Sequence, residues 1–516
     1  MLKIEGAASR LCDGLPRRDF IRIGSLGVGA GAFNLVDLQR AEAAQVAEGR
    51  SVSRHKSVIN VFLGGGPPHQ DMWDVKPDAP VEIRGEFKPI ATAVPGIQIS
   101  EVFPKIASRM KHCAIIRSLV GAAGGHDAIQ CMSGWPQSSM ANMGGRPSLG
   151  AVVAKLQGPV DPSVPAFVGL AARTQHQPWS DPGTAGFLGP SFRSFQPDGP
   201  SLANLRIKAS NQTHLEDRKG LLSRFDGLRR EIDVSGQIRG MDSLTDKAMG
   251  VLTSSRLMEA LDLSRESEKV RARYGSGQPY QYQYDGAPTV NEHLLMARRL
   301  VEAGVRVVTL SYGRWDSHGK NFDLVRDHGS KLDQGISALI DDLISRGMFD
   351  DVTVVVWGEF GRTPRINKEA GRDHWPQVAA ALLFGGGIRG GTVVGSTNRL
   401  GEHAKERPVQ FGEVFATLYK NIGLDPALVM LNDPTGRPQH LASHPAMPGQ
   451  AGKESLYGSH ASPLRGAFSR LHSFHDHLSG SGRVSKCRKA DSSSDGRQPV
   501  AVGMDISGLQ FGLCAF

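Results

Sequence analysis

The stretch from Trp315 to Trp375 contains three polar segments, which read Trp315-Asp316-Ser317-His318-Gly319, Trp357-Gly358-Glu359-Phe360-Gly361-Arg362 and Gly371-Arg372-Asp373-His374-Trp375. Each stands beside an apolar segment with the pattern of a buried strand or a packed helix. Asp, Glu and His in small convergent groups are the usual ligands of Zn²⁺ and related ions. Arginine beside such a group binds phosphate or sulfate. This part of the chain therefore predicts a metal-dependent site for an oxyanion ester.

The apolar segments predict an α/β fold. Strand patterns occupy residues 57–63, 113–118, 305–310, 352–356 and 378–384. A helix between the third and fourth of these strands carries one apolar stripe: Leu332, Ile336, Leu339, Ile340, Leu343 and Ile344. Strands that alternate with helices are typical of parallel sheets, which present ligands at the carboxyl ends of their strands.

We expect the polar loops to converge there on one or two metal ions. The predicted ligands are Asp71, Asp316, His318, Glu359, Asp373 and His374. In two-metal hydrolases, ions about 3.5–4 Å apart bind the attacking and leaving oxygens. Arg362 and His126 are predicted to contact the oxyanion. Zn²⁺ is the expected ion, and Ca²⁺, Mg²⁺ and Mn²⁺ remain open alternatives.

Glycine-rich segments precede some of these candidates. The strand at 57–63 runs into Gly64–Gly66, and Asp71 or Asp74 follows; a plain turn with solvated acids is the alternative. His126, at the start of a predicted helix, is a metal ligand, an anion contact or a helix cap. The run Gly385–Gly391 lacks the strand–GxGxxG–helix context of a dinucleotide site and is predicted to be a hairpin turn.

The N-terminus predicts export. Arg17-Arg18 stand ahead of a short Gly/Ala-rich apolar run, and Ala41-Glu42-Ala43 offers small residues to a signal peptidase. The apolar run is shorter than the roughly 20 residues that span a membrane, so no stable anchor is expected. Residues 1–43 are interpreted as a twin-arginine signal peptide, and the export machinery is a predicted partner. The mature protein is expected to be periplasmic or extracellular.

Composition and cysteine spacing argue against two further kinds of site. The chain has 60 Lys and Arg against 51 Asp and Glu, but no basic run that indicates nucleic-acid binding. Its five cysteines form no Cys-x-x-Cys pair, which excludes a Cys-ligated zinc site. The predicted organisation is one α/β domain over residues 44–446, with a helical insertion at about 215–275, and a disordered tail over residues 447–516.

These motifs together resemble a known family. The twin arginines, the segment Gly65–Asp74 and the three polar segments quoted first are similar to an exported bacterial family, the domain of unknown function 1501. That family is related to the alkaline phosphatase and sulfatase superfamily. The resemblance implies a three-layer α/β/α sandwich with a mostly parallel mixed sheet. It also implies that Asp71, Asp316, His318 and His374 correspond to metal ligands.

The chain departs from the superfamily pattern in two places. Glu359-Phe360 stands where adjacent Asp and His are usual. Gly124 to Asp127 offers no hydroxyl or thiol where the nucleophile should begin a helix, and Ser118 lies too early. The expected function is an exported metal-dependent hydrolase of phosphate or sulfate esters, with attack by a metal-bound hydroxide or an unidentified nucleophile. The alternative is a non-catalytic protein that binds anionic, sulfated glycans on a degenerate hydrolase fold.

Overall fold

A computed structural model describes residues 55–171, 176–197, 255–275 and 287–450. The predicted signal peptide, residues 215–254 of the predicted insertion and the tail from residue 451 lie outside the described residues. Within the described ranges, no helix has the length and apolar character needed to cross a bilayer.

The centre of the described chain is an eight-stranded sheet. Its strands, numbered in chain order, are β1 (Ser57–Phe62), β2 (Cys113–Val120), β3 (Phe167–Leu170), β4 (Val307–Ser311), β5 (Val352–Trp357), β6 (Ala379–Phe384), β7 (Thr392–Val394) and β8 (Val409–Gln410). Their order is β7-β2-β6-β5-β1-β4-β3, with β8 also paired to β2. Only β6 runs against its neighbours, β5 and β2, so the predicted mixed and mostly parallel sheet is confirmed.

Helices flank this sheet. They are α1 (His69–Met72), α2 (Val81–Arg84), α3 (Pro104–Ala107), α4 (Gln130–Ser133), α5 (Leu149–Leu156), α6 (Ser255–Leu261), α7 (Glu268–Tyr274), α8 (Glu292–Ala303), α9 (Asn321–Ser345) and α10 (Phe411–Asn421). Short 3₁₀ turns cover Met110–His112, Ala141–Met143, Gln177–Ser180, Gly186–Leu188, Pro190–Phe192 and Leu263–Arg265. Four small two-stranded sheets pair Pro89–Ala91 with Gln98–Ser100, Gly361–Arg362 with His374–Trp375, Ser396–Thr397 with Ala404–Glu406, and Met430–Asn432 with Pro438–His440.

Side chains on the two faces of the sheet pack into two separate hydrophobic cores. Ile59 and Val61 of β1 pack into the core that contains α8 and α9. Val58 and Phe62 pack into the core that contains α5 and α10. Since successive residues of a strand point to opposite faces, the sheet lies between two helical layers. The α/β fold predicted from the strand patterns is therefore confirmed.

Some local predictions were wrong. The run Gly385–Gly391 is not a hairpin turn, because β6 and β7 lie on opposite sides of β2 and the glycines cross between them. The helix predicted to start at His126 begins only at Gln130. In the stripe of α9, Ile344 is 39% exposed, while the other five stripe residues are buried. The described residues within the predicted insertion contain the helices α6 and α7.

Replacing His69 by Gln should flatten the dependence of stability on pH between pH 4 and 6.5. His69 is 1% exposed, and burial lowers the pKa of its imidazole from 6.5 to about 4. The unfolded chain binds a proton in that window and the folded chain does not, so wild-type stability rises with pH across it. Urea-unfolding free energies at several pH values measure the slope. The exposed His440→Gln serves as control, and equal slopes in wild type and His69→Gln would contradict the prediction.

Candidate metal centre

Adjacent parallel strands place the predicted loops at one edge of the sheet. β1 pairs in parallel with both β4 and β5, so the residues that follow these three strands emerge side by side. Gly64–Gly66 follow β1, Arg314–His318 lie beyond β4, and Glu359 lies beyond β5. Arg362 then pairs with His374 in the small sheet, which returns His374 to the same edge. Most of the predicted loops therefore meet, as their positions after parallel strands indicated.

Asp316 is the centre of this group. Its Oδ1 lies 3.1 Å from His318 Nε2 and 3.2 Å from His374 Nε2, and it forms an ion pair with Arg362. Its Oδ2 faces His126 Nε2 at 3.8 Å and Arg314 Nη2 at 3.4 Å. The carboxylate is therefore surrounded by imidazoles and guanidinium groups.

The surroundings of Asp316 keep it ionised. Burial alone would raise the pKa of its carboxyl group. The close contact with His374 and the charge of Arg362 outweigh burial and hold that pKa well below its usual range. Asp316 is therefore an anionic carboxylate at any physiological pH.

Three of these atoms have the spacing of metal ligands. His318 Nε2 lies 3.2 Å from His374 Nε2, so it forms a near-equilateral triangle with His374 Nε2 and Asp316 Oδ1. Ligand atoms about 2.0–2.1 Å from a tetrahedral zinc ion are about 3.3 Å apart. One ring nitrogen of His126 also lies within 4.8 Å of Asp316 and His374 ligand atoms.

Oxygen acceptors occupy the other nitrogen of His318 and His374. His318 Nδ1 lies 2.7 Å from Asp373 Oδ1, and His374 Nδ1 lies 3.3 Å from the main-chain oxygen of Gly124. In the tautomer of a neutral imidazole that donates Nδ1–H to that oxygen, Nε2 carries a lone pair, and this atom faces the Asp316 carboxylate. Lone pairs and a carboxylate oxygen at about 3 Å repel one another unless a cation or protons lie between them. This arrangement is typical of metal-ligating histidines.

His126 repeats the pattern through Glu359. Its Nδ1 lies 2.8 Å from Glu359 Oε1, which leaves Nε2 facing Asp316. Glu359 is 1% exposed and accepts further hydrogen bonds from Gly65 N at 2.8 Å and Gly66 N at 3.2 Å. We predicted Glu359 and Asp373 as metal ligands, but the structure places each behind a histidine, where it orients the ring.

Arg362 does not reach the open side of the centre. Its side chain is fully buried, and it donates to the main-chain oxygens of Gly65, Gly66 and Arg372 as well as to Asp316. Burial lowers the pKa of this guanidinium, although the charge of Asp316 opposes that effect. Because its donors face the protein interior, the oxyanion contact that we predicted for Arg362 does not fit this geometry. Arg362 instead orients Asp316.

Asp71 is not part of the group either. Its carboxylate is 0% exposed and forms a two-point ion pair with Arg372, with Nε–Oδ2 at 2.7 Å and Nη2–Oδ1 at 3.1 Å. Asn321 Nδ2 donates to the same Oδ2 at 2.8 Å. The resemblance implied a first-strand ligand here, but the structure gives this carboxylate protein partners on both oxygens.

The described part of the cluster shows no hydroxyl or thiol poised to attack. Ser118 is buried on β2 and donates to the main-chain oxygen of Arg407. Ser317 Oγ donates to Asn321 at 2.8 Å. Burial, with the charge of Glu359 added, raises the pKa of the Cys131 thiol well above its usual value. A nucleophile from this part of the chain is therefore not indicated.

Sequence reasoning missed two residues of the centre. Arg314 lies two positions before Asp316, and its place in the same polar loop was a usable signal. Trp179 lies in a region that we predicted only as loops, and it donates from Nε1 to Glu359 at 3.2 Å. Its ring is 4.9 Å from that of His126. The composition of residues 159–205, rich in Pro, Gly, Ser and aromatic residues, predicts loops on the active face of the sheet, but it does not single out Trp179.

Replacing Asp373 by Ala should weaken metal binding about 10- to 100-fold, the usual cost of losing a carboxylate behind a metal-bound histidine. Its side chain is 53% exposed, so the fold should not change. Titration of the apoprotein with Zn²⁺ measures the affinity, and Asp323→Ala, 68% exposed on α9, is the matched control. Equal affinities in the two variants would show that Asp373 does not support the site.

The fold and the centre define an α/β protein with a candidate metal site at the carboxyl edge of its sheet. The chain belongs to the family described as "Protein of unknown function (DUF1501)", whose model matches residues 55–448. The family resemblance seen in the motifs is thereby confirmed. No curated protein matches the sequence significantly.

Several solved structures are similar to the chain at low identity. Ps i-CgsB has 10% identity and a TM-score of 0.31, with 72% of each chain covered. The phosphonate monoester hydrolase SpPMH from Silicibacter pomeroyi has 12% identity and a TM-score of 0.31, with 72% of this chain and 73% of that chain covered. The PsFucS1 sulfatase from Pseudoalteromonas sp. has 9% identity and a TM-score of 0.27, with 76% and 72% covered.

Proposed function

We propose that this protein is an exported, metal-dependent hydrolase of phosphate or sulfate esters. One observation carries the proposal: the Nδ1 atoms of His126, His318 and His374 face oxygen acceptors, while their Nε2 atoms face Asp316. A cation or added protons between its lone pairs and the carboxylate would stabilise such a group, and the spacing of the three ligand atoms suits a divalent ion. Its position at the carboxyl ends of parallel strands is that of an α/β active site.

The donor set favours Zn²⁺. Asp316, His318 and His374 would supply one oxygen and two nitrogens, which suits zinc; Ca²⁺ and Mg²⁺ take mainly oxygen ligands. Catalytic zinc sites use three protein ligands and keep a further position for water or substrate. His126 Nε2, at 3.8 Å from Asp316 Oδ2, lies further out than the other two histidines. Mn²⁺ is the second choice of ion.

A bound divalent ion would polarise the ester oxygen and lower the pKa of a water molecule beside it. The side chains themselves would orient the ester and move a proton. His126 is 17% exposed, and its Nδ1–H is held by Glu359, so Nε2 can accept or return a proton at an ester oxygen. Glu359 cannot turn away, because two main-chain N–H groups and Trp179 also bind it. His126 is therefore the proposed catalytic residue.

The proposal of export rests on the sequence of residues 1–43, which lie outside the described residues. A twin-arginine signal would send the protein across the membrane already folded, with its ion in place. The ester substrate, a small molecule or a glycan, would then be met in the periplasm or outside the cell. The proposal includes neither a nucleic-acid partner nor a stable membrane anchor.

Mature protein purified without chelator tests the proposal. We expect about one zinc per chain and turnover of at least one member of a panel of aryl phosphates, phosphodiesters and aryl sulfates. A chelator should abolish turnover, and Zn²⁺ should restore it. His126→Gln should retain zinc but lose most of its turnover, since the ring that moves the proton is gone. Absence of bound metal, or turnover that survives in His126→Gln, would defeat the assignment.

A second candidate is a protein that binds sulfated glycans without cleaving them. The lack of a hydroxyl or thiol nucleophile in the described cluster favours it. The same preparation separates the two functions: tight binding of a sulfated polysaccharide, with no release of sulfate over hours, would support the second.

A further inference from the structure

Arg146, in the loop between α4 and α5, has donors that no protein group occupies. Its Nε donates to Ser139 Oγ at 3.1 Å. Within the described part of the chain, its Nη1 and Nη2 form no hydrogen bond and no ion pair. The side chain is half-buried, but these two nitrogens are not among its buried atoms, so they face solvent. The planar edge that they form is therefore available to a ligand.

Trp135 holds this guanidinium in place. The central carbon of the Arg146 guanidinium lies 4.0 Å from the centre of the Trp135 ring, the shortest cation–π distance in the described ranges. The tryptophan is itself anchored, because its Nε1 donates to the main-chain oxygen of Leu441 at 3.4 Å and its main-chain N–H donates to Ser133 Oγ at 3.2 Å. The guanidinium is thus ordered before a ligand arrives, which lowers the entropy lost on binding.

No carboxylate of the described residues pairs with this guanidinium. Asp433 is close enough for its charge to act on Arg146, but it is 5% exposed. Its Oδ1 accepts hydrogen bonds from Thr435, and its Oδ2 accepts one from Gln439, so this carboxylate is committed to its own turn. The Ser139 hydroxyl accepts from Arg146 and keeps its own hydrogen free in the described structure. Arg146 and Ser139 together therefore offer donors to an anion.

These donors lie at the edge of the sheet that carries the candidate metal centre. β2 and β5 both run against β6, so β2 ends at the same edge as β5. The loop after β2 carries His126, and the Oδ2 of the next residue, Asp127, accepts from the main-chain nitrogen of Gln137 at 2.9 Å. This bond keeps the Cα atoms of His126 and Trp135 within about 20 Å of each other. A ligand of oligosaccharide size can therefore contact both places.

We propose that Arg146, stacked on Trp135, binds a second anionic group of the substrate, a sulfate or phosphate separate from the ester at the metal centre. This inference rests on the proposed function, because it assigns a further subsite to the same ligand. The planar edge of a guanidinium matches two oxygens of such a group, and the Ser139 hydroxyl can donate to it as well. The protein should therefore prefer polyanionic substrates, such as multiply sulfated glycans, to esters with a single charged group.

Binding of two polyanions tests this subsite independently of turnover. The probes are a heparin-derived hexasaccharide and inositol hexakisphosphate, titrated calorimetrically into zinc-loaded wild type, Arg146→Gln and Arg146→Lys. Loss of hydrogen bonds to a charged group predicts that the Kd for the preferred probe rises by about 10-fold or more in Arg146→Gln. Arg146→Lys keeps the charge but loses the planar edge, so it should recover only part of the affinity. The probe that binds more tightly shows whether sulfate or phosphate is preferred.

The matched control is Arg389→Gln, which removes an exposed arginine between β6 and β7 at the opposite edge of the sheet. It should bind both polyanions like wild type. Equal Kd values in Arg146→Gln and Arg389→Gln, in a protein that hydrolyses esters, would overturn the inference and leave the proposed function standing. Arg146-dependent binding in a protein without hydrolysis would keep the subsite and reject the hydrolase.

Two further results would also overturn the inference. One is failure of wild type to bind either polyanion. The other is a lower melting temperature or loss of zinc in both Arg146 variants, because Arg146 would then support the fold and not a ligand.

Discussion

Replacing His318 and His374 together by Ala is expected to remove the metal from the purified protein and reduce turnover to background. The double variant leaves Asp316 as the last of the three atoms at ligand spacing. Losing one supporting residue costs about 10- to 100-fold in affinity, so losing two ligands should cost more than about 100-fold. Metal analysis after gel filtration, with the ester assay on the same fractions, measures both effects.

The double variant should still fold. His318 and His374 are 49% and 27% exposed, and neither belongs to a buried core, so thermal unfolding should remain close to wild type. His440→Ala, an exposed histidine of the small C-terminal sheet, controls for nonspecific zinc on surface imidazoles. Wild-type metal content in a folded double variant would remove the basis of the metal centre.

Replacing Asp71 by Ala should lower the free energy of unfolding by about 3–5 kcal/mol, the usual cost of breaking a buried ion pair from one side. Arg372 is 0% exposed, and its remaining donors are bound to the main-chain oxygens of Thr363, Pro364 and Ile83. The guanidinium therefore cannot swing out to water when the carboxylate is lost. It remains buried with its charge unpaired.

Urea unfolding measures this loss, and the exposed Asp78→Ala provides the matched control. The milder Asp71→Asn should retain the fold well enough for metal analysis, and its zinc content should equal that of wild type. A folded Asp71→Asn that has lost zinc would show that the superfamily resemblance identified a true ligand. A stability change below about 1 kcal/mol in Asp71→Ala would contradict the ion-pair account.

The sequence predicted the edge at which the centre lies, because that depends only on strand patterns. Buried strands followed by polar loops implied a parallel sheet, and parallel strands end at a common edge. This logic predicted that Asp316, His318 and His374 lie near one another, and the structure brings the three side chains together. The same logic explains the failure at Gly385–Gly391: a glycine run between two strands does not reveal whether a third strand lies between them.

The sequence could not predict which residues of the centre face its open side and which support them. That distinction depends on the direction in which each side-chain atom points. Glu359 and Asp373 have the chemistry of ligands, but the structure directs them to Nδ1 of a histidine. Asp71 and Arg362 are charged residues in promising motifs, and only their burial shows that they serve the protein interior. Trp179 was overlooked because it reaches this edge from far away in the chain.

The turn after β1 has a consequence for the order of maturation. The N–H groups of Gly65 and Gly66 bind Glu359, and their carbonyl groups bind Arg362. A Cβ at Gly65 would stand 2.5 Å from the backbone nitrogen of Asp316. Glycine at this position therefore lets the turn come close enough to bind Glu359 and Arg362. Partners nearly 300 positions apart in the chain meet only once β1 has inserted between β4 and β5. Asp316, His318 and His374 all belong to the second half of the chain, but the turn that holds Glu359 and Arg362 belongs to the first, so the complete centre forms only in the closed sheet.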